Sequence, residues 1–166
     1  MSKITTLQEL YVEELKDLWS ANDQMIKALK KIAPQAENPK LKSMLEQAAP
    51  GIEKHTELLK SLIEDQDDEV KKEHCKGMEG LVSEAIKHTI EEAPERGPVR
   101  DAAIIGQYQR MTHYGITGFG TVAAFAKALK LTDDHEELTA AVEDMYNNDE
   151  LMSELAESAV NGEAVE

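Results

Sequence analysis

A single cysteine, Cys75, stands among 166 residues, so no disulfide can form within the chain. A reducing compartment and an inert thiol near the start of a helix are the expectation. Aromatic residues are scarce too: Trp19, Phe119, Phe125 and four tyrosines make up 4% of the chain. No alternating apolar run is bounded by turns, which leaves β-strands without support. No apolar stretch approaches the roughly 20 residues needed to cross a bilayer. Met1 to Glu14 lacks the basic segment and apolar run of a secretory leader, and the chain is expected to be soluble and cytoplasmic. Positive charge is short: 18 Lys and Arg against 33 Asp and Glu give a formal charge of −15. Such a field repels nucleic acid and anionic membranes, and neither is expected as a partner.

What is present is helical spacing. Thr6 followed by Glu9 is a capping box, after which Leu7, Tyr11, Leu15, Leu18, Met25, Leu29 and Ile32 recur at helical steps, with Asn22 in the same stripe. Asn38-Pro39 opens a second helix whose stripe is Leu41, Leu45, Ala48, Ile52, His55, Leu59 and Leu62, ended by the polar run Asp65 to Glu69. A shorter third helix is expected over His74 to Ala93, punctuated by Pro94 and Gly97-Pro98. A fourth spans Pro98 to Leu131, with Tyr108, Thr112, Gly115 and Phe119 on its inner face. Asp133 and Glu136 form the pattern of another capping box, for a fifth helix with Leu138, Val142, Met145, Asp149 and Met152 inward. Gly106, Gly115, Gly118 and Gly120 cost on the order of 1 kcal/mol each relative to Ala in a helix; close approach by a neighbour offsets that. The reading is all-α: one domain, residues 1–160, with four long helices in a bundle, the short third helix packed outside, and a tail at 161–166 expected to fray.

Trp19-Ser20-Ala21 with Gln24, the run from Cys75 to Leu81, Arg100-Asp101-Ala102-Ala103, His113-Tyr114 and Gly120-Thr121 together resemble the YciE/YciF-like ferritin-like family, in order and across nearly the whole chain. The resemblance implies an up-down ferritin-like bundle, a kinship with di-iron carboxylate proteins, an association with bacterial stress responses, and a homodimer. A dinuclear centre needs several carboxylates to neutralise and bridge its cations, with imidazole completing the shell. By position, the family's metal-ligand places fall here on Asn22, Ala48, Pro50, Gly51, Thr112, Gly115 and Met145. None is a carboxylate or an imidazole. The resemblance therefore implies a degenerate site and no metal cofactor. Iron or another divalent metal in a rearranged site is the alternative.

Beside that layer, His55 and Asp149 are the remaining inward polar candidates, and with Asn22 and Thr112 they could form a buried polar network or a single-metal site. Two firm ligands are few for a metal. Pro50 inside the second helix removes a backbone donor and typically kinks or costs about 3 kcal/mol; the expectation is a kink that reshapes the layer. His113 is expected to point away from the stripe, and His74, His88, His135 and Glu84 to be surface or structural residues. The methionines of the inner stripes read as core. No Gly-rich phosphate loop, paired-cysteine zinc motif or credible Ser-His-Asp grouping appears. The expected function is a non-catalytic, homo-oligomeric or partner-binding bundle of unknown partner. A rearranged metal or oxidative-stress protein and a small-ligand carrier using Ala48, Gly51 and Gly115 are the alternatives.

Overall fold

In the computed structural model, which describes residues 3–66 and 68–165, the Thr6 hydroxyl accepts the Glu9 N–H at 3.1 Å. The Glu9 carboxylate accepts the Thr5 and Thr6 N–H groups in return. Helix α1 (Leu7–Ile32) thus begins where its capping box places it. Met1 and Ser2 of the Met1 to Glu14 segment, Asp67 of the polar run and Glu166 of the tail lie outside the described residues. The Asn38 side chain accepts the Lys40 and Leu41 N–H groups at 3.0 and 3.1 Å, opening α2 (Pro39–Asp65). Helix α3 (Lys76–Ile86) runs on into a wider, π-type turn over Lys87–Glu91. Helices α4 (Pro98–Ala128) and α5 (Thr132–Leu155) form the second long hairpin. After a second π-type turn over Ala156–Val160, the tail expected to fray keeps a helical turn, α6 (Asn161–Glu163).

The fifth helix differs from its expected start. Asp133 does not cap it: α5 begins at Thr132 with no side-chain cap, and Asp133 and Asp134 sit inside the first turn, where negative charge favours the helix dipole. The reason is the tightness of the preceding turn. Lys130, in the left-handed region at φ 64, closes α4 with paired bonds from Leu131 N–H to Ala126 and from Lys130 N–H to Lys127. That reverses the chain at once and leaves no room for a cap at Asp133.

The two hairpins, α1/α2 and α4/α5, pack as an up-down bundle, with α3 laid outside it against α1 and α4. The crossover from α2 to α3 is fastened along α1. Lys16, buried, pairs with Asp68 at 3.0 Å; the Ser20 hydroxyl accepts the Cys75 N–H at 3.0 Å, and the Gln24 amide donates to the Cys75 carbonyl at 3.0 Å. Cys75 caps α3, its sulfur accepting the Met78 N–H, and burial pushes its thiol pKa up. At the other end of the bundle the buried Asp101 carboxylate accepts the Glu37 and Asn38 N–H groups at 2.9 and 2.8 Å. Next to it Arg100 donates to the carbonyls of Thr89 and Glu95.

The α2 helix runs unbroken through Pro50, which is exposed.

Asp101→Ala should lower stability by about 2–4 kcal/mol in urea denaturation, because two amides lose their acceptor in a buried turn. A loss under about 1 kcal/mol would mean that water reaches those amides.

Candidate functional site

The site arises where the two hairpins fail to meet. Along α1 and α4 they approach closely, where a Cβ on Gly118 would run into the Leu18 side chain, and Tyr11 of α1 donates to Asp134 in the first turn of α5 at 2.8 Å. The Leu18 side chain accounts for Gly118 and the Met145 sulfur, 3.2 Å from where a Cβ would sit, for Gly115, whereas Gly106 and Gly120 have nothing within 4 Å. Along α2 and α5 packing is far sparser. Between them opens a cavity of about 370 Å³. Its floor is the buried side of α1, α3 and α4, with Ala21, Met25, Met78, Tyr108, Met111 and Thr112; its mouth is the exposed Gln47, Gly51 and Lys54 of α2 facing Asp144, Asn147 and Asn148 of α5.

Six of the seven positions singled out in the sequence, Asn22, Ala48, Gly51, Thr112, Gly115 and Met145, line this one cavity. Pro50 does not; it lies on the outer face of α2. The cavity falls at the waist of the core. One apolar cluster lies on the side of Met25, Leu45, Ile104 and Met152, the other on the side of Leu15, Leu59, Phe119 and Leu138.

The polar candidates do not form the expected network. The Asn22 amide donates to the Thr56 hydroxyl at 3.1 Å, which in turn donates to the Ile52 carbonyl at 2.9 Å. The Thr112 hydroxyl, in a residue 5% exposed, makes no well-formed hydrogen bond among the described residues, although it lies beside the Tyr108 phenol. Tyr108, one turn before it, has its phenol pKa raised by burial, opposed by the Thr112 hydroxyl and helped by the Asp149 charge. His55 sits near the mouth, tilted against the Phe119 ring with centroids 5.8 Å apart and its Nε2 3.5 Å from Asp144. Asp149 is elsewhere. It faces His113 at 2.8 Å and accepts from the Gln109 amide at 3.0 Å on the outer α4/α5 seam. His55 and Asp149 are therefore not brought together; Asp149 is turned to the α4/α5 seam, while Asn148, Leu151 and Met152 around it on α5 line the cavity. His113 takes the outward, structural place expected of it.

Sequence reasoning missed the character of the walls. All six methionines after Met1, namely Met25, Met44, Met78, Met111, Met145 and Met152, line the cavity. At least one comes from each of α1 to α5. Read singly each is a core residue; their common destination was the available signal. Thr56 was missed as well, a buried threonine that takes up the Asn22 amide.

Does this set fit the di-iron centre that the resemblance implies? Among the described residues no three His, Cys, Asp or Glu side chains gather where they could hold a metal ion. The layer offers a neutral amide, a hydroxyl, thioethers and backbone-sized gaps. It supplies no anionic oxygen to neutralise hard cations, and the residues present do not fit the group.

A family model described as "Domain of unknown function (DUF892)" matches residues 6–165. The chain belongs to this family. Protein YciF of Escherichia coli (strain K12) is 30% identical over 160 residues, 96% of this chain and 95% of that protein. The crystal structure of that stress protein superposes with a TM-score of 0.87 at 30% identity, covering 95% of this chain and 99% of that one. YcfI from Rhodopseudomonas palustris superposes with a TM-score of 0.85 at 28% identity, covering 91% and 95%. This DUF892 chain is thus a YciF-like all-α bundle. Within it the residues that carry the resemblance, among them Ser20, Gln24, Cys75, Arg100, Asp101 and Tyr114, fasten one element to the next. Tyr114 reaches both the Cys75 sulfur at 3.1 Å and Asp17 at 3.3 Å.

Burial holds the His55 imidazolium pKa below its ordinary 6.5, Lys54 adding to that and Asp144 opposing it. The unfolded chain therefore takes up a proton near 6.5 that the folded chain refuses until lower pH, so this contribution is intact above 6.5 and is lost as pH falls below it. His55→Gln should flatten the fall in urea midpoint between about pH 7 and pH 5. An unchanged slope would show that His55 is not the residue responsible.

Proposed function

We propose that this DUF892 member is a non-catalytic bundle that has given up di-iron chemistry and binds a small molecule in the layer where relatives of its type would place metal ligands. The observation that carries the reading is the cavity itself. Six positions from four helices, each lacking an anionic ligand atom, bound a single space of about 370 Å³, at the lower end of the roughly 300–1,000 Å³ usual for ligand pockets. By the family pattern, glycine for glutamate at Gly51 and Gly115 and alanine for histidine at Ala48 would remove ligand atoms and volume together, and methionine for glutamate at Met145 would remove charge alone. A bundle that merely lost a metal could refill the space with larger apolar side chains; here it stays open to solvent through a polar mouth.

Elemental analysis tests the metal half of this reading. Untagged protein expressed with iron, manganese and zinc in the medium, then dialysed, should be folded and carry well under about 0.1 metal per chain, since no carboxylate cluster offsets the cation charge. Near-stoichiometric metal would overturn it and favour a rearranged centre.

A homodimer, implied by the family resemblance, belongs to the same proposal. Gly106 and Gly120, the two α4 glycines with nothing within 4 Å, leave room for a second chain to approach that helix. Light scattering should give twice the 18.4 kDa chain mass; a monomer across a wide concentration range would end the idea. No helix among the described residues is long and apolar enough to cross a membrane, and a cytoplasmic location is part of the proposal.

A further inference from the structure

Resting on that small-molecule reading, we infer that the ligand is neutral and largely apolar, with one oxygen-bearing polar end, a hydroxyl or a carbonyl, that docks on Thr112. Charge decides the first property. The buried floor holds thioethers, Ala21, Tyr108, Asn22 and Thr112 and no ionised side chain. An anion or cation seated there would lose its hydration without a counterion, which is the costly case. At the mouth Lys54 and Asp144 offset each other, and the overall charge of −15 further disfavours anions.

The walls decide the second property. A thioether is polarisable, flexible and attractive to aromatic edges, so a lining of six methionine side chains adapts to flat or irregular apolar bodies more readily than one of branched residues. The polar end is assigned by Thr112. Its hydroxyl is one of two buried side-chain oxygens without a well-formed hydrogen bond among the described residues, in a residue that lines the cavity. A hydroxyl both donates and accepts, so it serves an alcohol, a phenol or a ketone equally. The Asn22 amide already spends one of its N–H groups on Thr56, whereas the Thr112 hydroxyl is wholly unspent. A second protein is a poor occupant, because the rim is polar: Gln47, Lys54, Asp144, Asn147 and Asn148 are all exposed.

Fluorescence titration of the full chain with 2-naphthol, naphthalene and 2-naphthoate separates the claims, since the three share one ring system. Saturable binding of 2-naphthol is expected, with 2-naphthoate weaker by about tenfold or more. Thr112→Val should weaken 2-naphthol by about three- to tenfold, one hydrogen bond, and leave naphthalene unchanged. Ala48→Leu should weaken both by filling the cavity. Should that variant fail to fold, Gly51→Leu replaces it, since a Cβ there meets nothing within 4 Å. If 2-naphthoate equals 2-naphthol, or Thr112→Val leaves 2-naphthol unchanged while Ala48→Leu or Gly51→Leu weakens it, the ligand class is overturned and the small-molecule reading stands. If neither neutral probe binds saturably, both fall.

Discussion

The Asp101 carboxylate accepts both free backbone N–H groups of the turn between α1 and α2, and much of the bundle's geometry follows from that tie. It holds the start of α4 against the end of α1. Leu18 on Gly118 continues the same seam, and Tyr11 on Asp134 ties the first turns of α1 and α5 at the other end. With α1 held to α4 along the seam and to α5 at its far end, the interior is completed only by what α2 and α5 present across the gap. At mid-length they present Ala48, Gly51 and Met145, too small or too slender to meet. An interior at native density leaves few voids larger than a water molecule, so an opening of this size is a departure that the fixed seam makes inescapable.

Polar satisfaction is incomplete at two buried positions of α4. Elsewhere the buried polar groups are carefully matched: Arg100 to two carbonyls, Ser20 and Gln24 to Cys75, Asn22 to Thr56. Gln107 Oε1 and Thr112 Oγ1 are the exceptions among the described residues. An unpaired buried hydroxyl costs roughly 1–3 kcal/mol. A local conflict of this kind, in a chain that otherwise agrees with its fold at every level, is the usual mark of a functional position. Its placement on the cavity wall gives the conflict a chemical use.

Much of this was legible in the sequence because helices announce themselves locally. Thr6 with Glu9, Asn38-Pro39 and the apolar stripes depend on residues within a few turns, and they fixed four helix starts or faces without tertiary knowledge. The failed cap at Asp133 shows the limit: the left-handed Lys130 closes α4 so tightly that α5 starts two residues sooner. Level between helices was not legible. Asn22, Ala48, Thr112, Gly115 and Met145 could be grouped because a family pattern aligned them. His55 and Asp149 share inward stripes yet finish on different seams, and the methionines, scattered over five helices, converge only once the helices are set beside one another.

Methionine-methyl NMR of the folded chain, recorded while ferrous iron and then 2-naphthol are added, addresses the central claim most directly, because the six cavity methionines report from all five helices at once. The account predicts methyl signals unbroadened by iron and shifted together, with saturation, by the neutral probe. Stoichiometric, saturable paramagnetic broadening of the Met111 and Met145 methyls by iron, with no response to 2-naphthol, would contradict it and restore a metal centre to the middle of the bundle.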